Sequence, residues 1–165
     1  MIRKLEVSDW DVFKSIRLEC LKSTPWAFGA KYDVEITKDD TYWQGIVNNP
    51  SRTMFGLFVD EVMIAISGLQ IVSNQQDIDI KVNVVSVYCK PEFRGKGHID
   101  KLLNYVISYQ YEYIKGRLYL AVEKNNIAAI NLYKKLSFIY DKDLPSRIMA
   151  DGLLHDEIQM KHVRD

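Results

Sequence analysis

Disulfide-forming potential is nearly absent here: only Cys20 and Cys89 stand in 165 residues, too few for a cysteine framework. Histidine is scarce as well, with three in the chain. His155 and His162 are too far apart for the helical two-histidine zinc pattern, so no metal is expected. No apolar run reaches the length of a membrane span. Residues 1–6 alternate like a strand and have no apolar stretch of the signal-peptide kind. The expectation is a cytoplasmic protein with no membrane partner. Charge of one sign is lacking too: Lys+Arg and Asp+Glu both total 22, for a formal net charge of zero. A chain built for nucleic acid carries a basic footprint. None is present, so a nucleic-acid partner is not expected and any anion site must be local.

Apolar and aromatic residues are plentiful. The chain is 47% hydrophobic, with 10 Tyr, 6 Phe and 3 Trp, enough for a sizeable core, and its length favours one domain over residues 1–165. A first strand is expected over residues 2–7. Ser8 is placed to cap a helix with Asp9 and Asp11 in its first turn and Phe13, Ile16, Cys20 and Leu21 as its buried stripe. Residues 26–35 carry Trp26, Phe28 and Tyr32 without a clear period. Thr37 is expected to cap a second helix, with Trp43, Ile46 and Val47 inward, which Asn48, Asn49 and Pro50 stop. Strands over 53–60 and 62–72 are joined by a short hairpin at Asp60 and Glu61. A polar turn over 73–77 leads into a third strand over 78–89, rich in β-branched residues. A glycine-containing loop precedes a helix marked by Ile99, Leu102, Leu103, Val106 and Ile107 at three-four spacing. A strand over 118–122, a helix over 126–136, a strand from 138 and a last strand over 155–162 follow. This order is an α+β pattern around one mixed sheet. It lacks the long strand–helix alternation of a doubly wound dinucleotide fold.

The loop between the third strand and the next helix holds Arg94, Gly95, Lys96 and Gly97. A helix N-terminus exposes N–H groups and the positive end of its dipole. Glycine lets an anion approach the backbone, and Arg94 and Lys96 add charge, so the segment suits a diphosphate. An ordinary strand-to-helix turn has the same spacing, and both readings stand at this level. Gly97 after Lys96 breaks the P-loop pattern, and Asp100 breaks the dinucleotide fingerprint.

Arg94, Gly97 and Ile99, with Pro91, Glu92 and Phe93 before them and Leu102 and Leu103 after, resemble the coenzyme A-binding motif of the GNAT acetyltransferases. Val122, Asn126, Ala129, Leu132, Tyr133, Leu136 and Phe138 resemble the second motif of that family. Weaker likeness at 24–29 with Glu35, and at 152–160, extends it over nearly the whole chain. Two positions depart from the pattern: Ile99 replaces a small residue, and Ser137 replaces the glycine before Phe138. The resemblance implies a mixed, mostly antiparallel central sheet flanked by helices. It also implies acetyl transfer from acetyl-CoA to a small-molecule or peptide amine by direct attack. Backbone groups of Val87, Tyr88 and Cys89 would hold the pantetheine arm. Arg94, Gly95, Lys96, Gly97, His98 and Ile99 would hold the diphosphate, and Asn126 would bond the arm or cap its helix. Tyr133 would give a proton to the departing thiolate; by spacing alone it is a core aromatic. A homodimer is compatible with the family, some members of which pair through late strands.

Direct attack needs a neutral amine, hence a proton acceptor. Some members carry a glutamate on the third strand of the meander, where Asn83 stands here. Glu35 is the preferred candidate base, with Asp156 and Glu157 as alternatives. Cys89 reads as an inert strand cysteine rather than a nucleophile. Arg147 reads either as a solvated loop residue or as a partner for an acceptor carboxylate. Two other readings stay open: an acyl-CoA-binding sensor of the same fold without turnover, and an aromatic groove (Trp26, Phe28, Tyr32, Trp43) that binds a partner chain.

Overall fold

The computed structural model describes residues 1–72 and 79–164. The polar turn expected over 73–77 and the first residue of the third strand, Ile78, lie outside these residues. The chain runs β1 (Ile2–Lys4), α1 (Trp10–Ser23), α2 (Tyr32–Glu35), α3 (Asp40–Val47), β2 (Arg52–Val59), β3 (Val62–Ile71), β4 (Lys81–Cys89), α4 (His98–Tyr109), β5 (Arg117–Glu123), α5 (Ile127–Lys135), β6 (Phe138–Asp143), β7 (Arg147–Ile148), β8 (Leu154–His155) and β9 (Glu157–His162). Seven strands form one sheet in the order β1-β2-β3-β4-β5-β9-β6, and β7 and β8 form a separate small hairpin. All neighbours in the large sheet are antiparallel except β4 and β5. The fold is therefore α+β, as the element order implied.

Period-two alternation in the strands sends side chains to two cores. Met54, Phe58 and Ile66 pack with Phe13, Ile16 and Cys20 of α1 and Trp43 of α3. Phe55, Leu57 and Leu69 pack on the other face with Leu102, Leu103 and Val106 of α4. β3 is covered on both faces, which is why it reads as a continuous apolar run with Met63 to Leu69 all buried. Phe13 meets Trp43 edge-on, with centroids 6.2 Å apart, a geometry that adds about 0.5–1.5 kcal/mol beyond area burial.

Several local signals were misassigned. Asp39, not Thr37, caps α3: its side chain accepts from the Tyr42 amide at 2.9 Å, while the Thr37 hydroxyl donates back to the Val34 carbonyl. Ser8 lies inside a 3₁₀ turn; there Glu6 and Asp9 form the capping box, and α1 starts only at Trp10. The long terminal strand expected over 155–162 is two elements, since His155 belongs to the β7–β8 hairpin. The hairpin at Asp60 and Glu61 is as expected, with both residues at positive φ, the geometry of a tight two-residue turn.

One feature of the sheet positions the site. β4 and β5 pair only at Lys81–Arg117, Val82–Leu118 and Asn83–Tyr119. Beyond Asn83 the two strands have no further residue pairs. Gly116 lies at the closed end of this pairing: its φ is +83, and a Cβ there would meet the Ile80 carbonyl. A second irregularity lies along the same edge. Ile66 pairs with Tyr88 and Gly68 with Val85, so Ser86 and Val87 together oppose Ser67. That is a β-bulge, and Ser86 sits in it at φ +57. Such bulges cluster beside functional sites because they re-aim the backbone.

Candidate active site

The fork encloses a cavity of about 390 Å³, within the range of small-ligand sites. One wall is Val84, Val85, Ser86 and Val87 of β4, and the facing wall is Leu120, Ala121, Val122 and Glu123 of β5. Because residues 84–89 pair with β3 alone, alternate amide groups on their other edge have no strand partner. Asn126 and Tyr133 close one side, and Arg17, Phe28, Arg52, Arg147 and Glu157 close another.

Tyr133 is buried on α5, edge-on to Phe138 with centroids 6.0 Å apart. Its phenol makes no hydrogen bond among the described residues, and burial pushes it up to about 12. The group therefore stays protonated and is a donor toward the cavity. Asn126 caps α5, its side chain accepting from the Ala129 amide at 3.2 Å. Glu123 accepts from the Asn125 amide at 2.9 Å with Oε2. Its Oε1 lies 3.7 Å from His155 Nδ1, and His155 Nε2 is 2.7 Å from Asp151. Asp151 first, then Glu123, holds the His155 imidazolium above the usual histidine range, against the opposing effect of desolvation. Glu157, directly across from Glu123 in the β5–β9 ladder, accepts from Arg147 Nε at 2.6 Å.

The glycine loop follows β4. Pro91 to Phe93 make a 3₁₀ turn, and Gly97 caps α4 in the left-handed region at φ +74. Gly95 is left-handed too, and a Cβ added at either glycine would point into open space. The Arg94 Nε donates to the Cys89 carbonyl at 2.9 Å, which ties the loop to the strand end. Lys96 Nζ donates to the Glu92 carbonyl at 3.1 Å. His98 opens α4 and stands edge-on to Phe93. Ile99 packs against the core, so its branched side chain is taken up by the interior.

The structure brings Val87, Asn126 and Tyr133 into the cavity wall and sets residues 94–99 at the end of the strand that forms that wall. The Tyr88 side chain turns to α1, its hydroxyl 3.0 Å from Glu19 and 3.1 Å from Ser23, while its backbone stays on the part of β4 that pairs with β3 alone. Cys89 is buried, and desolvation pushes its thiol up, which suits an inert cysteine. Glu35 is not part of the cavity wall. The single turn of α2 lays it against Tyr42, whose phenol is pushed up to about 12 by burial and then by Glu35. Arg17, Arg52 and Glu123 were not singled out from the sequence. Arg17 left a signal, since it interrupts the apolar stripe Phe13, Ile16, Cys20 and Leu21 at core spacing.

Comparison with known proteins gives this arrangement its context. The family model described as acetyltransferase (GNAT) family matches residues 13–138. A spermidine N(1)-acetyltransferase of Escherichia coli strain K12 is 29% identical over 75 residues, 45% of this chain; the match spans 40% of that relative's length. An acetyltransferase of the GNAT family from Streptococcus pneumoniae superposes with a TM-score of 0.82 at 18% identity, covering 98% of this chain and 96% of that one. The structure of yncA from Salmonella typhimurium with its cofactor acetyl-CoA gives a TM-score of 0.81 at 19% identity, covering 98% of this chain and 91% of that one. At these identities the structural likeness is one of fold. The family match covers most of the sequence, from α1 to the start of β6, and the chain belongs to the acetyltransferase (GNAT) family.

Proposed function

We propose that residues 1–165 form a single catalytic domain that transfers the acetyl group of acetyl-CoA to a primary amine by direct attack. The observation that carries this reading is the open edge of β4 beyond Asn83, which runs from the forked cavity to the Gly95–Gly97 turn. An extended ligand with a diphosphate at one end and a thioester at the other matches that layout. The amides at the start of α4 and the open approach at Gly95 and Gly97 suit the diphosphate. Amide groups beside the Ser86 bulge suit the pantetheine arm and the thioester carbonyl, where charge develops.

In the reaction the amine nitrogen bonds the acetyl carbon, and the carbon–sulfur bond breaks. Tyr133 donates a hydrogen bond to the departing sulfur. A phenol near 12 is a weaker acid than a thiol of about 8.5, so it stabilises the thiolate without surrendering its proton fully. An alkylamine is protonated at neutral pH and needs a base. We place that role on Glu123 rather than Glu35, because Glu123 lies in the cavity wall and Glu157 is held by Arg147. His155 and Asp151 give the proton a route outward. Thiol release from acetyl-CoA, followed across a panel of primary amines, tests the reading. Amine-dependent release supports it, and acetyl-CoA binding without release for any amine favours the sensor instead.

A further inference from the structure

Two guanidinium groups in the cavity wall lack an anionic partner. Arg17, in the middle of α1, lies over the Phe28 ring with Cζ 4.8 Å from the centroid. Its Nη1 is buried and makes no hydrogen bond. Arg52, at the start of β2, spends its Nε on Gln70 Oε1 at 2.7 Å. Among the described residues neither pairs with a carboxylate. The two repel each other: after desolvation, Arg17 is the next cause holding the Arg52 guanidinium below its ordinary range. Among the described residues neither cavity carboxylate pairs with these arginines: Glu157 accepts from Arg147, and Glu123 accepts from the Asn125 amide and faces His155. Asn83 Oδ1, at the apex of the fork, is a second buried polar atom of this wall without a partner. Both side chains are half-buried, and a cation drawn out of water without a counter-charge is costly. A fold that keeps two such cations in the wall of one small cavity is arranged for an anion that arrives with the ligand.

We propose that the acceptor is a primary amine bearing a carboxylate, of the amino-acid kind, whose carboxylate is held by Arg17 and Arg52. This rests on the acetyl-transfer reading and narrows its acceptor. The planar guanidinium forks suit a carboxylate in bidentate geometry. The Phe28 ring backs the Arg17 guanidinium at 4.8 Å. A polyamine would instead set a second ammonium against two uncompensated cations, so the same wall rejects it.

The test compares glycine, β-alanine and glutamate with their carboxamides and with spermidine, by thiol release. The expected result is kcat/KM about 10- to 100-fold higher for a carboxylate-bearing amine than for its carboxamide, the scale of a charge-assisted hydrogen bond. Spermidine should be poorer still. Arg17→Gln and Arg52→Gln should each raise KM for the acid and erase its advantage over the amide, leaving KM for acetyl-CoA unchanged. Arg17→Lys should retain part of the preference. A second arm needs no turnover: the N-acetylated acids and amides are titrated into the protein with coenzyme A present, and the acids should bind more tightly. Equal handling of acid and amide, or a preference for spermidine, overturns the proposal while acetyl transfer stands. Absence of acetyl-CoA binding overturns the acetyl-transfer reading instead, and the product titration still decides whether the arginines select a carboxylate.

Discussion

Tyr133 is a buried phenol with no hydrogen-bond partner among the described residues. Removing its hydroxyl should therefore cost little stability. Tyr133→Phe is expected to lower kcat about 10- to 100-fold with KM for acetyl-CoA nearly unchanged and the melting temperature within a degree or two. A loss of stability with unaltered kcat would make the residue purely structural. Since burial holds this phenol near 12, it stays protonated through mildly alkaline pH. The wild-type kcat should show no alkaline fall attributable to it below about pH 10. Glu123→Gln should reduce kcat about 100-fold and remove the acid limb of the pH–rate profile, whereas Glu35→Gln should leave that limb in place. The reverse pattern would return the base to Glu35. At this scale the sequence was informative where a residue's neighbours in the chain are also its neighbours in space, as with Asn126 and Tyr133 on α5. It was silent for Glu123 and Arg52. Their places in the cavity wall come from strands and helices brought together across the sheet, and only Arg17, a cation in an apolar stripe, left a local trace.

The decisive elements are β4, its fork with β5, and the turn into α4. Gly116 lets the starts of β4 and β5 approach, because an alanine Cβ would run into the Ile80 carbonyl where the parallel pairing begins. Gly116→Ala should destabilise the protein by about 2–4 kcal/mol, combining the positive φ with the steric clash. Thermal unfolding checks this, and an unchanged melting temperature would show that the strand starts can shift apart freely. Gly97 differs, since a side chain there meets open space and only the left-handed backbone resists it. Gly97→Val should therefore cost more in coenzyme A affinity than in stability, raising KM for acetyl-CoA about 10-fold or more by blocking close approach to the α4 amides. Elements with strong periodicity, such as α4 and β3, were legible in advance. The Ser86 bulge was not, because Val84, Val85, Ser86 and Val87 read as an ordinary stretch of strand. The cap of α3 was misread because Thr37, Asp39 and Asp40 offer competing oxygens within one turn of chain, and only geometry selects Asp39.

Across the molecule, two apolar cores clamp the sheet from both sides and leave the β4–β5 fork as a break in otherwise continuous pairing. The α+β class and the central motifs followed from element order and from short, locally encoded segments. The wall formed by Arg17, Arg52, Arg147 and Glu157 did not, since α1, β2, the β7–β8 hairpin and β9 each supply one residue of it from distant points in the chain. In the proposed reaction acetyl-CoA lies along the open edge of β4, with its diphosphate at the α4 turn. Calorimetric titration of acetyl-CoA into wild-type protein and into Gly97→Val tests this most directly. One ligand per chain, with binding sharply weakened in the folded variant, is the predicted result. Equal binding by both proteins, or none by the wild type, would contradict it.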